Sequence, residues 1–515
     1  MTTPRRRADP SSPPSSRLLS RLHFAASALQ ALPYSSKKEG GGMGVRKGGS
    51  SFDRSPGVAD SSSWRFFDSR AAGISREAIP RPALAVLQKL KRKAYLVGGC
   101  VRDLLLNRVP KDFDVITTAS LQQIKKNVFR RCIIIGKRFP ICQVNMLGNK
   151  IEVSSFGTNS NLAEGSKDIG CSKKLECYNE GDILLWQNSM KRDFTINGLF
   201  FNPFNSMIYD YVNGVRDIRK NKVSTVIPAL VSFDEDPARI LRGLRIAARL
   251  GFEFSSETSA AIRELYGSIA LIGKARLIME MDYLLSYGAA ESSLRLLRKY
   301  GLLDILLPFQ AAYLTNQMKD KSNDRDLMLM RLLANLDKLL SADRPCHSCL
   351  WPALLTFHSA LVNHPQDAQV IRAFGALMYF GSWGSTINFL NQDIVAPTPF
   401  IPETLGPSRS KLDNLMEQTS NLASLVLVSG RERERVLRIF NGLDSDLTSY
   451  QERKGMHGID YKLLKNGHPS EVRFVLGKVI MDTMSEELPC ASTAYDQLNK
   501  QANLDDLPDR SHPSQ

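Results

Sequence analysis

The pattern of apolar residues changes once along this 515-residue chain, and that change limits the folds it can adopt. Between Ala94 and Ser155, short apolar runs alternate with turns, which predicts closely spaced strands. After Asp236, apolar residues recur every three or four positions almost continuously, which predicts helices. Strands followed by a long run of helices indicate an α+β fold, with a small mixed-sheet head and an all-helical neck and body.

The same patterns predict the domain boundaries. They give a transit peptide and disordered linker at 1–63, a head at 64–206, a helical neck at 207–310, a helical body at 311–489 and a loose tail at 490–515. Within the head, the polar segment 159–186 contains three glycines and is interpreted as a mobile loop.

The N-terminal segment has the composition of a targeting signal. Asp9 is its only acid before Glu39, and it contains Arg5, Arg6, Arg7, Arg17 and Arg21 among serines. Segments that are rich in arginine and serine and poor in acids are typical of organelle transit peptides. We expect an organelle location, the mitochondrion being favoured over the chloroplast, with a nuclear pool left open. A disordered tail is the alternative interpretation.

The overall charge favours a partner that carries many phosphates. Lysine and arginine number 68 against 52 aspartates and glutamates, which gives a formal net charge of +16. Such a surplus is typical of proteins that bind nucleic acid, although a basic targeting segment also contributes to it. No run approaches the roughly 18 consecutive apolar residues of a membrane span, so we expect no membrane partner.

Two aspartates at strand spacing, Asp112 and Asp114, are candidate metal ligands. Residues two apart on a strand point to the same face, so their carboxylates would lie side by side and repel each other unless a cation binds. Oxygen ligands suit Mg²⁺, and two such ions can activate an attacking hydroxyl and stabilise a leaving pyrophosphate. Glu152 lies in a later predicted strand and is a candidate third carboxylate.

A double glycine precedes this pair and indicates a phosphate site. Gly98 and Gly99 separate a predicted strand from a predicted helix. Glycine lets the backbone approach a phosphate closely, and the helix start offers free N–H groups. Arg102 in the first turn suits an anionic ligand rather than the helix dipole. A plain strand-to-helix turn is the alternative.

Two later segments add polar groups. Arg192 can bind a triphosphate, Asp193 can orient a cation, and Asn197 can bond a ribose hydroxyl or a phosphate. Further on, Asp236 suits a helix cap, and the next helix places four arginines opposite its apolar stripe: Arg239, Arg242, Arg245 and Arg249. We expect that arginine face to require an anionic partner, and Asp236 with Arg239 to read the edge of a base.

Four segments together resemble the class II tRNA nucleotidyltransferase and bacterial-type poly(A) polymerase family, a branch of the polymerase-beta-like superfamily. They are LVGGCVRDLLLNRVPKDFDVIT (96–117), KRDFTINGLFFNP (191–203), YDYVNGVRDI (209–218) and EDPARILRGLRIAARLGF (235–252). The similarity runs from about residue 73 to about residue 308.

The resemblance implies a five-stranded nucleotidyltransferase head that uses two Mg²⁺ ions and takes ATP as substrate. It implies that Asp112 and Asp114 are metal ligands, that Gly98, Gly99, Arg102 and Asp103 hold phosphate, that Arg192, Asp193 and Asn197 contact ribose and triphosphate, and that Asp236 and Arg239 select the base with support from Arg242. RNA 3′ ends would be the partner.

Two activities share this scaffold, and both remain open. Segments 134–141, 275–280 and 287–308 resemble the poly(A) polymerase branch, which favours template-independent addition of AMP from ATP to RNA 3′ ends. Gln143 stands where that branch leads us to expect a histidine, so CCA addition to tRNA is the first alternative. A catalytically inactive RNA-binding factor is the second, and the intact Asp112 and Asp114 argue against it.

Overall fold

The protein is described by a computed structural model. It covers residues 64–70, 74, 76–90, 94–130, 132–136, 140–156, 179–318, 324–392, 400–405, 412–429, 439 and 458–485. The predicted transit peptide and linker, the predicted tail and most of the predicted loop at 159–186 lie outside these residues.

In its described residues, the head contains one mixed sheet of eight strands in the order β1-β8-β7-β2-β3-β6-β5-β4. Its strands are β1 (Arg65–Asp68), β2 (Ala94–Val97), β3 (Asp114–Thr117), β4 (Cys132–Ile135), β5 (Ile141–Met146), β6 (Asn149–Ser155), β7 (Phe200–Asn202) and β8 (Met207–Asp210). Only β3 and β6 pair in parallel; the other neighbours are antiparallel. The predicted mixed sheet is therefore confirmed.

The sheet is larger than the five strands that we expected. Strand β1 was not predicted, because its sequence RFFD places two apolar residues between two charged ones and stands apart from the closely spaced apolar runs that begin at Ala94. It is held by antiparallel pairing with β8, in which Phe66 stands opposite Tyr209. Since β8 belongs to this sheet, the head continues through Asp210, beyond the boundary that we placed at residue 206.

The longer described helices of the head are α1 (Arg81–Lys89), α2 (Gly99–Leu105) and α3 (Glu180–Met190), and a short helix at Leu121–Gln123 continues into a π-helix at Ile124–Val128. Helix α3 occupies part of the segment that we interpreted as a loop. Asn179 caps its first turn by accepting a hydrogen bond from the Gly181 amide at 3.0 Å, and Leu185 is buried. The glycines and polar residues of this segment favour a loop, but the cap and the buried leucine stabilise a helix.

The neck is mostly helical. Its helices are α4 (Gly214–Arg219), α5 (Ala229–Glu235), α6 (Ala238–Leu250), α7 (Ser256–Leu265), α8 (Lys274–Leu285), α9 (Ala290–Lys299) and α10 (Leu303–Leu306). It also contains a two-stranded parallel pair, β9 (Lys222–Val223) and β10 (Glu253–Phe254), so the expectation of an all-helical neck was wrong at this point.

The body is mostly helical in its described residues. Its helices are α11 (Pro308–Gln317), α12 (Met328–Leu339), α13 (Leu350–Asn363), α14 (Ala368–Phe380), α15 (Trp383–Gln392), α16 (Leu412–Ser429), α17 (Tyr461–Asn466) and α18 (Pro469–Ser485). None of the helices in the described ranges is long and apolar enough to cross a membrane.

Helix α6 packs closely against the head and so positions the residues of the site. Its predicted apolar stripe is buried, including Ile240, Leu241 and Leu244. A Cβ atom added at Gly243 would lie 2.8 Å from Cζ of Phe194, which is itself fully buried. Glycine at this position allows the helix to lie directly on the segment that carries Asp193.

Candidate active site

Asp114 and Glu152 lie side by side on one face of the head sheet. Asp114 is the first residue of β3 and stands in register with Glu152 of β6. Directly paired residues on neighbouring strands project to the same face. We expected Asp112 to lie on the same strand as Asp114 and to point to the same face. It precedes the strand instead, so the alternation of side chains along a strand does not determine its direction. Its side chain is 71% exposed and lies 3.6 Å from the Lys111 ammonium.

These carboxylates repel one another. Burial raises the pKa of Asp114 to about 6, and Glu152 and Asp112 add to the rise, while Arg192 opposes it. Burial also raises the pKa of Glu152, with a further contribution from Asp112. A divalent cation would relieve this repulsion, because it favours the charged form of each carboxylate.

The donor set fits a hard cation that keeps part of its hydration. Asp112, Asp114 and Glu152 offer only oxygen ligands, which Mg²⁺ prefers. Among the residues that the structure describes, no three His, Cys, Asp or Glu side chains form a complete metal-binding group. Mg²⁺ sites commonly use one or two carboxylates together with water and substrate phosphates, so an incomplete protein ligand set suits this ion.

The predicted glycine turn lies beside a half-buried cation, Arg192. Gly98 adopts φ +81°, a conformation that favours glycine, and α2 begins at the next residue. A Cβ atom added at Gly98 would lie 3.4 Å from Nη1 of Arg192. The Arg192 guanidinium donates to Oδ1 of Asn188 at 3.2 Å, and its burial lowers its pKa. The structure thus brings the turn and Arg192 together.

Arg102 is held by protein groups rather than left open for a phosphate. Its Nη2 and Nε donate to Oδ1 of Asp103 at 2.7 and 2.8 Å, and its Nη1 donates to Oδ1 of Asn197 at 2.7 Å. The Asn197 amide in turn donates to Oδ1 of Asp193 at 3.0 Å. These four predicted site residues therefore form one continuous network beside the glycine turn.

Asp236 and Arg239 do not bond to each other through their side chains. Oδ2 of Asp236 accepts from Nη2 of Arg276 at 2.8 Å. Nη1 of Arg239 donates to Oγ of Ser232 at 2.9 Å and to Oε2 of Glu235 at 3.0 Å. Oδ1 of Asp236 accepts from the Ala238 amide at 3.2 Å, as a helix cap does.

The arginine face of α6, for which we expected an anionic partner, meets carboxylates of the protein itself at two positions. Arg242 pairs with Asp193 at 2.6 Å. Nε of Arg245 lies 3.6 Å from Oε2 of Glu280. Nη2 of Arg249 donates to the carbonyl of Tyr283 at 2.7 Å. Because these acceptors come from distant segments, the pattern within one helix could not reveal them.

Sequence reasoning missed Asn188, Arg276, Glu280, Tyr283 and Tyr287 as neighbours of the site. One signal was present for two of them. Glu280 and Tyr283 lie three residues apart, which places them on one face of α8. Tyr287 lies two residues beyond the end of that helix, and Asn188 and Arg276 have no pattern within their own segments.

Two family descriptions match this chain. Residues 94–224 match the poly A polymerase head domain, and residues 251–314 match the probable RNA and SrmB-binding site of polymerase A. The first covers strands β2 to β8 of the sheet and the glycine turn. The second begins directly after α6 and includes α8.

Several known proteins are similar to the chain. Poly(A) polymerase I of Haemophilus influenzae is 36% identical over 275 residues, which span 52% of this chain and 59% of that protein. Poly(A) polymerase I of Salmonella typhi is 31% identical over 320 residues, or 61% of this chain and 67% of that protein. A CCA-adding enzyme of Staphylococcus epidermidis is 27% identical over 290 residues, or 56% and 63%.

A solved structure is similar at lower identity. The CCA-adding enzyme of Bacillus stearothermophilus in complex with CTP is 24% identical, with a TM-score of 0.41 over 70% of this chain and 82% of that one. The family assignment rests on the relatives that are similar in sequence. On their identity and coverage, this chain belongs to the class II nucleotidyltransferase family, which includes poly(A) polymerase I and the CCA-adding enzymes.

Proposed function

We propose that this chain adds AMP from ATP to RNA 3′ ends without a template. One observation carries the proposal: paired carboxylates and an anion-binding turn lie on adjacent elements. Asp114 and Glu152 share a sheet face, and the half-buried Arg192, which lies beside the Gly98 turn, lowers the pKa of Asp114. Nucleotidyl transfer requires both features, since it needs a cation site for charge neutralisation and a cradle for the triphosphate.

Asp112 and Asp114 would hold the two Mg²⁺ ions, with Glu152 as a third carboxylate beside Asp114. When bound, such ions lower the pKa of an attacking hydroxyl and stabilise the negative charge of a leaving pyrophosphate. The exposure of Asp112 supports its role, because an exposed carboxylate can share an ion with substrate phosphates.

The protein itself positions the nucleotide. Gly98 and Gly99 let the backbone approach the triphosphate of ATP, and Arg192 beside the turn supplies positive charge. Asp193 orients Arg242, and the network of Arg102, Asp103 and Asn197 fixes the pocket wall. The RNA 3′-oxygen then attacks the α-phosphorus, the bond to the β-phosphate breaks and pyrophosphate leaves, with no covalent enzyme intermediate.

Asp236 and Arg239 would select the base at the neck side of the pocket. To bond a base edge, Asp236 must release Arg276, and Arg239 must release Glu235. Both carboxylate–arginine pairs are partly exposed, and exposed pairs of this kind contribute little free energy. Exchanging these partners for the edge of a base therefore costs little free energy.

The sequence identities to the known relatives support adenylate addition over CCA addition. The Haemophilus poly(A) polymerase I matches at 36% over 275 residues, against 33% over 225 residues for a CCA-adding enzyme of Bacillus licheniformis. CCA addition to tRNA is the second candidate, because that shorter match still covers 54% of the Bacillus protein.

A primer-extension assay distinguishes the candidates. The full chain is incubated with Mg²⁺ and each nucleoside triphosphate separately, on an unstructured RNA and on a tRNA that lacks CCA. We expect long extension of the unstructured RNA with ATP alone, and none by the Asp112→Ala variant. Addition of only C, C and A to the tRNA would instead establish CCA activity. RNA binding without incorporation on either substrate would support the inactive binding factor.

We also propose an organelle location, favouring the mitochondrion. The support is the composition of residues 1–63, which is rich in arginine and serine and poor in acids. A fluorescent protein fused to these residues should enter mitochondria, and imaging would also detect chloroplast entry or a nuclear pool. A diffuse cytoplasmic signal would contradict the proposal.

A further inference from the structure

Two neck tyrosines and one head lysine form a contact that the proposed mechanism does not use. Nζ of Lys111 lies 4.8 Å from the ring centroid of Tyr287 and 5.5 Å from that of Tyr283. The same ammonium lies 3.6 Å from Oδ2 of Asp112. We propose that the two tyrosines restrain Lys111 from pairing fully with Asp112, which keeps this carboxylate available to a divalent cation. The inference rests on the proposed role of Asp112.

The tyrosine rings are held in place independently of Lys111. Their centroids are 5.4 Å apart. On the α6 side, Cζ of Arg245 lies 4.9 Å from the Tyr283 ring, and Cζ of Arg249 lies 4.7 Å from the Tyr287 ring. Arg249 also donates to the Tyr283 carbonyl at 2.7 Å. The rings therefore form a fixed surface on the neck, against which the lysine of the head can rest.

The Lys111 ammonium and the Asp112 carboxylate are too far apart for a strong hydrogen bond. Its separation of 3.6 Å exceeds the roughly 2.7–2.9 Å of a charge-assisted hydrogen bond. Within the described part of the chain, Asp112 makes no hydrogen bond to another residue, and 71% of its side chain is exposed. An exposed ion pair is weak, so a cation–π contact competes with it effectively.

Lys111 has a favourable contact both when the site holds no cation and when a divalent cation is bound. Without a bound cation, its charge offsets the repulsion among Asp112, Asp114 and Glu152. When a divalent cation binds Asp112, the ammonium is repelled by it, and the two rings are the adjacent surface that accepts a positive charge. Lys111, Tyr283 and Tyr287 are therefore positioning residues for the metal ligand.

The test measures metal binding directly. Free Mn²⁺ is followed by electron paramagnetic resonance as it is titrated into the full chain without nucleotide. Loss of a cation–π contact of about 0.5–1 kcal/mol predicts that Tyr287→Leu binds Mn²⁺ about 2- to 5-fold more weakly. Tyr287→Phe keeps the ring and should bind as the unmodified chain does. Tyr266→Leu, at a neck tyrosine that is 42% exposed, is the matched control.

A second substitution identifies the route of the effect. In a Lys111→Gln background, no ammonium remains to be restrained, so Tyr287→Leu should leave Mn²⁺ affinity unchanged. Equal weakening by Tyr287→Leu with and without Lys111, or by the Leu and Phe variants alike, would overturn the inference. If Asp112→Asn binds Mn²⁺ normally, the proposed metal site itself fails. Far-UV circular dichroism and thermal melting verify that each variant is folded.

Discussion

Asp193 and Arg242 join the head to the neck through an ion pair in which Oδ2 and Nε are 2.6 Å apart. The carboxylate is 9% exposed and the guanidinium 51%. Burial alone would raise the pKa of Asp193, but Arg242 and the hydrogen bonds from Asn197 and the Phe194 amide outweigh it and lower that pKa. The charged carboxylate is thus stabilised by a partner from the other side of the pocket.

Arg242→Met should destabilise the protein. It leaves the Asp193 carboxylate nearly buried with its two remaining hydrogen bonds, and we expect the free energy of unfolding to fall by about 1–2 kcal/mol, a value reduced because Arg242 is half exposed. Urea denaturation followed by circular dichroism measures this change. Arg81→Met, at an exposed arginine that begins α1, should change it by less. Equal stability of both variants would contradict a structural role for the pair.

Asp337 predicts a pH dependence of stability. In α12, it accepts hydrogen bonds from the Ala290 and Glu291 amides at 2.7 and 2.9 Å, which caps the first turn of α9. Burial raises its pKa from 3.8 to about 6, although these hydrogen bonds lower it. The folded chain therefore binds the proton more tightly than the unfolded chain. The contribution of this proton to stability is complete below pH 3.8 and is lost as pH rises through about 6.

Asp337→Asn removes this titration. The amide oxygen can still accept a backbone hydrogen bond, so the variant should gain stability relative to the unmodified chain as pH rises from 4 to 7, by about 1–3 kcal/mol. Urea denaturation at several pH values measures the difference. A difference that stays constant across this range would show that the carboxyl group does not titrate there in the folded protein.

Gly98→Ala should separate the effect of backbone strain from the effect of an added contact in the site. Alanine in this backbone conformation costs about 1–3 kcal/mol of stability, and its Cβ would also contact Nη1 of Arg192 at 3.4 Å. Gly148 has the same φ of +81° with nothing within 4 Å of a Cβ, which makes Gly148→Ala the matched control. We expect both variants to lose stability but only Gly98→Ala to bind ATP more weakly, as measured by equilibrium dialysis.

Local patterns predicted most elements of the fold, because each of those elements carries its own signal. The glycine turn before α2, the strand that contains Glu152 and the apolar stripe of α6 all follow from residues within about ten positions of each other. Strand β1, with the sequence RFFD, has no alternating pattern of its own, and its existence depends on pairing with β8, more than a hundred residues away.

The site was predictable as a set of residues but not as a set of contacts. The motifs identified Arg242 and Asp236, yet their partners Asp193 and Arg276 are determined by how the head and the neck helices pack. The parallel pairing of β3 with β6 likewise decides that Glu152 stands beside Asp114. Such contacts depend on tertiary packing, which periodicity within a segment does not record.

Arg239→Ala should reduce the selectivity for ATP over CTP. If Arg239 exchanges Glu235 for the edge of the incoming base, its removal costs hydrogen bonds that discriminate between bases, about 1–3 kcal/mol by analogy with bidentate base contacts. The preference for ATP over CTP in primer extension should then fall about 10-fold or more, with metal binding unchanged. Arg276→Ala is the informative companion, because it removes the partner of Asp236 without touching Arg239. It should leave the preference largely intact, so an equal loss in both variants would indicate a general distortion of α6 rather than base selection.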